Sequence, residues 1–165
     1  MATAPTTDGP MHWAAAFALT AIAYALAGLA GLSLAIPPGY ASPLYPAAGV
    51  AIASVLVFGR HVLPAVLLGA FCVNLSLALQ QQPFGLSMLQ LPLWIAFGAT
   101  LQAFVGAELV KRFVQEPLSL SEPRDVLVFL LVGMASSLVS ASIAVFGMWW
   151  SHTLGVSELP FSFAT

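Results

Sequence analysis

Ser42-Pro43-Leu44-Tyr45-Pro46-Ala47-Ala48-Gly49 interrupts an otherwise continuous apolar run with residues that cannot extend a helix backwards. Pro43 and Pro46 each lack an amide donor and hold the residue in front of them in extended geometry. Behind them, residues 47–58 are uniformly apolar or small. As a helix that run is about 18 Å long, against a hydrocarbon layer of about 30 Å, so it cannot cross alone. Residues 40–46 must then enter the layer in non-helical form, which is tolerated only where protein or water covers the backbone. The stretch predicts a covered break, with the helix amides of Ala47, Ala48 and Gly49 facing a cavity.

Outward from the break the chain is apolar throughout. Hydrophobic residues make up 60% and charged residues 6%, with a mean hydropathy of +0.97. A water-soluble surface of mixed charge cannot be built from this composition, so the chain is an integral membrane protein whose first partner is the lipid bilayer. Four Lys and Arg against six acids leave no basic face for nucleic acid. Cys72 stands alone, which excludes an intrachain disulfide and a cysteine cluster for a metal. Residues 1–11 read as a flexible cytoplasmic tail without the positive start of a cleaved signal, and residues 12–165 as the membrane-integral domain.

The pattern predicts an all-α, polytopic bundle of about five spans, the second one short. Residues 13–36 are uncharged and long enough to cross with some tilt. Within them Ala23, Ala27, Gly31 and Ala35 recur every four positions and permit close approach by a neighbouring helix or a second copy in a homodimer. After the short helix, Gly59-Arg60-His61 marks a tight hairpin into a third span over 62–79, closed by glutamines, Pro83 and Gly85. Residues 89–110 form a fourth span, stopped by Lys111 and Arg112, and a solvated connection leads through Ser121-Glu122-Pro123-Arg124-Asp125 into a fifth over 126–150. The aromatic pair Trp149-Trp150 suits an interface.

Arg60 falls between spans two and three, while Lys111, Arg112 and Arg124 fall between spans four and five. Excess Lys and Arg marks the cytoplasm, so both loops and the amino terminus are expected inside. Five crossings then leave Thr165 outside, and the ending Phe161-Ser162-Phe163-Ala164-Thr165 reads as if cut short before a further helix.

At this point several motifs taken in order resemble a known family. They are the proline-rich stretch itself, Gly59-Arg60 with Pro64, Gly69-Ala70 with Asn74, Thr100-Leu101 with Gly106-Ala107, Arg124-Asp125-Val126, and Ser140-Ala141. Together they resemble the bacterial membrane-associated sensor domain of the first type, the MASE domain, over nearly the whole chain. The resemblance implies a roughly eight-span sensory input module placed before histidine kinase, diguanylate cyclase or phosphodiesterase modules, in the inner membrane. It supplies no residue roles. The chain departs from the family pattern at Tyr45, where Trp is common, at Ala47, where a second Pro is common, and at Gln102, where an acid is expected. If that acid serves ligand binding or proton coupling in relatives, this chain is left with a neutral ligand or with none.

Polar residues inside the apolar layer point to a site, because an unpaired amide or carboxyl there costs free energy that a neighbour must offset. One reading joins Tyr45, Ala47, Ala48, Gly49, Asn74 and Gln102 around one ligand cavity, since a helix start inside the layer offers free donors and a positive dipole. The other reading has Asn74 and Gln102 tie helices together by hydrogen bonds. Glu108 reads as an interfacial ion pair with Arg112, one turn on. Ser136, Ser137, Ser140 and Ser142 read as packing or backbone-bonded serines. His12 and His61 share a side without ligand spacing, so no metal, haem or other cofactor is expected, and no nucleophile and base pair or phosphate loop supports catalysis. Two functions remain open: a sensory input for a downstream cytoplasmic signalling module, or a transporter whose broken helix binds a solute.

Overall fold

A computed structural model describes residues 10–33, 45–81, 85–113 and 123–150. Of the expected flexible tail over 1–11, residues 1–9 lie outside the described residues, while Pro10 and Met11 are already helical; the proline-rich stretch before Tyr45, the turn at 82–84, the connection over 114–122 and everything after Trp150 also lie outside them, as do the side chains of Trp149 and Trp150. Within them the chain folds into five helices: α1 Pro10–Ser33, α2 Pro46–Phe58, α3 Leu63–Gln81, α4 Gln90–Phe113 and α5 Pro123–Trp150. Short 3-10 turns at Arg60–Val62 and Leu86–Leu89 lead into α3 and α4. Four stretches, His12–Ser33, Arg60–Gln80, Gln90–Phe113 and Leu127–Gly147, are long and apolar enough to cross a membrane. The helix α2, with 13 residues, is about 20 Å long and falls short of the layer.

Prolines mark the starts. Pro10, Pro46 and Pro123 each open a helix, where the missing amide donor has no carbonyl to bond in any case. Pro64 is the second residue of α3 and is tolerated for the same reason. Between α2 and α3, Gly59 has φ 90 and ψ 179, a conformation essentially confined to glycine, and its amide donates to the Val55 carbonyl at 2.9 Å. That bond closes α2 and lets the chain reverse within a few residues. Lys111 and Arg112 do not stop α4, as the sequence suggested: the helix runs on to Phe113. Charge ends a membrane run through desolvation, but it suits a helix carboxyl end, where the dipole is negative.

The helices α1, α2, α4 and α3 form a ring in which each packs on the next, and α5 is laid against the outside of α4. Small side chains fill the middle, with Ala16, Ala47, Ala51, Ala70, Ala96, Ala103 and Ala107 all buried beside Val55, Val62 and Val66. Glycines bring the axes closer still. A Cβ on Gly69 would lie 3.0 Å from the Ala21 carbonyl oxygen, and one on Gly106 2.8 Å from Ile52 Cδ1. The buried face of α1 is Ala16, Thr20, Tyr24, Gly28 and Gly31, whereas Ala23 and Ala27 of the expected stripe lie at its half-buried margin. Spacing alone cannot separate two neighbouring stripes of small residues; the contacts of Tyr24 and Gly28 with α3 and Tyr45 select one.

Candidate functional site

The head of α2 is its start at Tyr45 and Pro46. Tyr45, the residue before the helix, is extended with φ −117 and ψ 84, and no side chain caps the helix. Pro46 has no amide, the Ala48 amide donates back to the Tyr45 carbonyl at 3.2 Å, and Ala47 is fully enclosed. The Tyr45 ring leans on α1, where a Cβ on Gly28 would meet its hydroxyl at 3.3 Å and the Val73 methyls from 3.0 Å. Tyr24 lies one turn from Gly28 on the same face of α1. Tyr24 is only 1% exposed, and one turn further along the same face of α1 the Thr20 hydroxyl is enclosed without a hydrogen-bond partner.

The six residues of the sequence-predicted site are distributed over the start of α2, α3 and α4. Tyr45 and Ala47 face the interior of the ring, Ala48 is half-buried, and Gly49 faces outward with open space around its Cα. Asn74 follows Val73, which touches Gly28, so it lies near the level of Tyr45. Its amide donates to the Ala70 carbonyl of its own helix at 2.8 Å, so Asn74 ties no helices together. Gln102 is buried and lies on the face of α4 between Gly98, which closes on Ser140 and Ile143, and Gly106, which closes on Ile52 and Ser136. It therefore belongs to the seam of α2, α4 and α5. From the hairpin joining α3 to α4, Asn74 is seven residues in from Gln81 and Gln102 twelve in from Gln90. Along the helix axes those counts correspond to about 10 and about 18 Å.

Among the described residues, the side-chain hydrogen bonds that join one element to another lie just beyond the end of α2. At its foot, Arg60 donates through Nη2 to Glu108 Oε2 at 2.7 Å and through Nε to Oε1 at 3.1 Å, with its guanidinium also 5.3 Å from the Phe104 ring. Glu108 thus pairs with Arg60 and not with Arg112, whose guanidinium lies over Phe113 at 5.9 Å. The planar fork of Arg60 meets both carboxylate oxygens across the helix interface, a geometry that a partner one turn away on the same helix does not match. Elsewhere side-chain donors return to their own helix: Ser76 to Val73, Thr100 to Ala96, Ser136 and Ser137 to Gly133, and Ser142 to Leu138. Such local bonds satisfy a hydroxyl in an apolar layer without joining helices.

Sequence reasoning missed Tyr24 and Thr20. Both lie inside a run of small and apolar residues, and the signal available was their four-residue spacing with Ala16 and Gly28 on one face of α1. The family model of MASE1 matches residues 14–162. The chain belongs to the MASE1 family. MASE1 domains are membrane sensory, non-catalytic domains found in signalling proteins, and this one is an integral, multi-pass membrane protein. No curated protein and no solved structure matches the chain.

Proposed function

We propose that this MASE1 domain is the input module of a bacterial signal-transduction protein of the inner membrane. It detects a small ligand or a state of the bilayer and relays it to a downstream cytoplasmic histidine kinase or cyclic di-GMP module. The observation that carries this reading is the short helix α2, which stands in a family-matched bundle with no side chain capping its head and is tied to α4 beyond its foot by the Arg60–Glu108 pair. A helix held in this way has discrete packed positions, and a ligand that favours one of them shifts the population. The positive charge of Arg60, Lys111 and Arg112 favours a cytoplasmic position for those ends and, counting the crossings back, for the amino terminus. Tyr45, Ala47, Ala48 and Gly49 form the first candidate ligand contact, with Asn74 near the same level. Gln102 forms a second, in the seam of α2, α4 and α5, where its neutral amide suits an uncharged hydrogen-bonding group. A homodimer through the lipid-facing surfaces is compatible with this role. A transporter reading draws no support from the family match.

The test uses the full-length protein in nanodiscs, with thermal-shift screening of small solutes and output-module activity read together. A solute that raises the melting temperature of the wild type, and loses that effect in Asn74→Leu or Gln102→Leu while altering output, is the expected result. If no solute stabilises the wild type and both variants signal normally, the ligand site is lost.

A further inference from the structure

We propose that the seam of α2, α4 and α5 at Gln102 is a site for a molecule dissolved in the bilayer, a long apolar body with one neutral carbonyl or hydroxyl group, which enters sideways from the lipid past Gly49. The proposal deepens the sensory reading and rests on it for the use of the site in signalling; the site itself stands on geometry.

Contacts on either side of Gln102 define the seam. Gly106 is met by α2 and α5 together, a built Cβ lying 2.8 Å from Ile52 Cδ1 and 3.3 Å from Ser136 Oγ. Gly98 is met by α5, at 3.3 Å from Ile143 Cβ and 3.4 Å from the Ser140 carbonyl oxygen. Gln102 stands midway between the two glycines on the same stripe of α4. Both α2 and α4 run toward the Arg60–Glu108 pair, so one turn back from Ile52 and from Gly106 stand Ala48 and Gln102, at one level. Ala48 is half-buried. Gly49, three residues before Ile52 and so beside it on the helix surface, is exposed with nothing within 4 Å of a built Cβ. The α2 wall at this level is therefore a methyl and a hydrogen, while α5 packs along α4 and not along α2.

The floor of this gap is polar. Gln102 is 8% exposed, and its amide makes no hydrogen bond among the described residues. Asn74 and Thr100, by contrast, bond carbonyls of their own helices. An amide left without a partner in an apolar layer raises the free energy, and a ligand group that bonds it removes that cost. Ser140, half-buried and one turn from Ser136, also makes no hydrogen bond among the described residues and adds a hydroxyl to the same seam. A carboxamide both donates and accepts, so a carbonyl and a hydroxyl each fit it. On α4 the charge nearest Gln102 is Glu108, about 9 Å along the axis and already bonded to Arg60, so an ionic ligand would enter uncompensated. Depth selects the rest of the molecule. Gln102 lies about 18 Å from the start of a helix about 36 Å long, near the middle of the layer, and whatever reaches it there travels through hydrocarbon.

The experiment photolabels the full-length protein in nanodiscs with a diazirine-bearing hexadecanol and locates the label by peptide mass spectrometry. A diazirine-bearing alkane of the same length and the corresponding hexadecanoate anion are the controls. The alcohol is expected to label the start of α2 and the middle of α5, in competition with unlabelled hexadecanol and with a long-chain methyl ketone. The alkane and the anion should label about fivefold less, the effect of one hydrogen bond. Gln102→Leu keeps the bulk and removes the amide, and is expected to lower labelling by the alcohol about fivefold while the melting temperature stays level or rises. Gly49→Leu fills the entrance where no neighbour opposes a side chain, and should also lower labelling. Gly133→Leu fills the open space on α5, about 10 Å along the helix from Ser140, and should not. Equal labelling by the alkane, or unchanged labelling in both Gln102→Leu and Gly49→Leu, overturns the site. Gly49→Cys chains that cross-link to one another in a Cys72→Ser background assign the gap to a second copy and overturn it as well. Should Gln102→Leu fail to fold, Gly49→Leu and the competition decide. Labelling needs no output, so its failure removes the lipid-borne ligand and leaves the sensory reading to its own test. Specific labelling with output unchanged by saturating hexadecanol keeps the site and removes its use in signalling.

Discussion

At Gly59 the left-handed φ of 90, with an extended ψ, is a conformation that a side chain makes costly. Gly59→Ala is expected to lower stability by about 1–3 kcal/mol, read as a drop in the detergent melting temperature. A neighbouring residue gives a test of partner choice. Arg60→Gln removes a two-point contact with Glu108, so the melting temperature should fall at low ionic strength and the difference should shrink as salt is added. Arg112→Gln, which breaks no ion pair with Glu108, should leave the melting temperature unchanged. Equal falls in the two variants would restore the pairing along α4 that spacing suggested. The sequence shows that Glu108 has basic neighbours, but a four-residue spacing offers one partner on the same helix and is silent about a turn arriving from elsewhere.

Helix contacts divide the glycines. Gly69 closes on the backbone of α1, so Gly69→Ala forces either helix to move and should cost about 1–3 kcal/mol. Gly133 on α5 has nothing within 4 Å of a built Cβ. There Gly133→Ala should stabilise the helix by about 0.5–1 kcal/mol, because alanine has less freedom to lose in the unfolded chain. Chemical or thermal unfolding of both variants in one detergent checks the contrast, and a loss of stability in Gly133→Ala would place an undescribed neighbour against that face. From sequence the two glycines look alike, each in an apolar run at helical spacing. The helix lengths themselves were legible, since runs of 18 or more apolar residues have one solution in lipid.

For the whole molecule the testable claim is orientation. Arg60 and Glu108 are bonded to each other, so the turn after α2 and the carboxyl end of α4 lie at one end of the bundle. Single cysteines at Arg60 and Arg112, in a Cys72→Ser background, should react with a membrane-impermeant maleimide only in inside-out vesicles, and with the same preference. Labelling from opposite faces would break the five-helix topology. Sequence by itself determined a great deal here: composition required a membrane bundle, two prolines and a short apolar run required a helix that starts late, and ordered motifs pointed to the sensor family. Those are properties of single segments in lipid, where length, hydropathy and missing amide donors leave few alternatives. Tertiary structure decided what the segments share. It set Tyr45 against Gly28 of α1 and Tyr24 against Gly69 of α3, turned Asn74 back on its own helix and gave Glu108 to Arg60. Which stripe of a helix is buried, and which polar atom finds a partner, depends on distances between helices far apart in sequence, and no spacing within one helix encodes them.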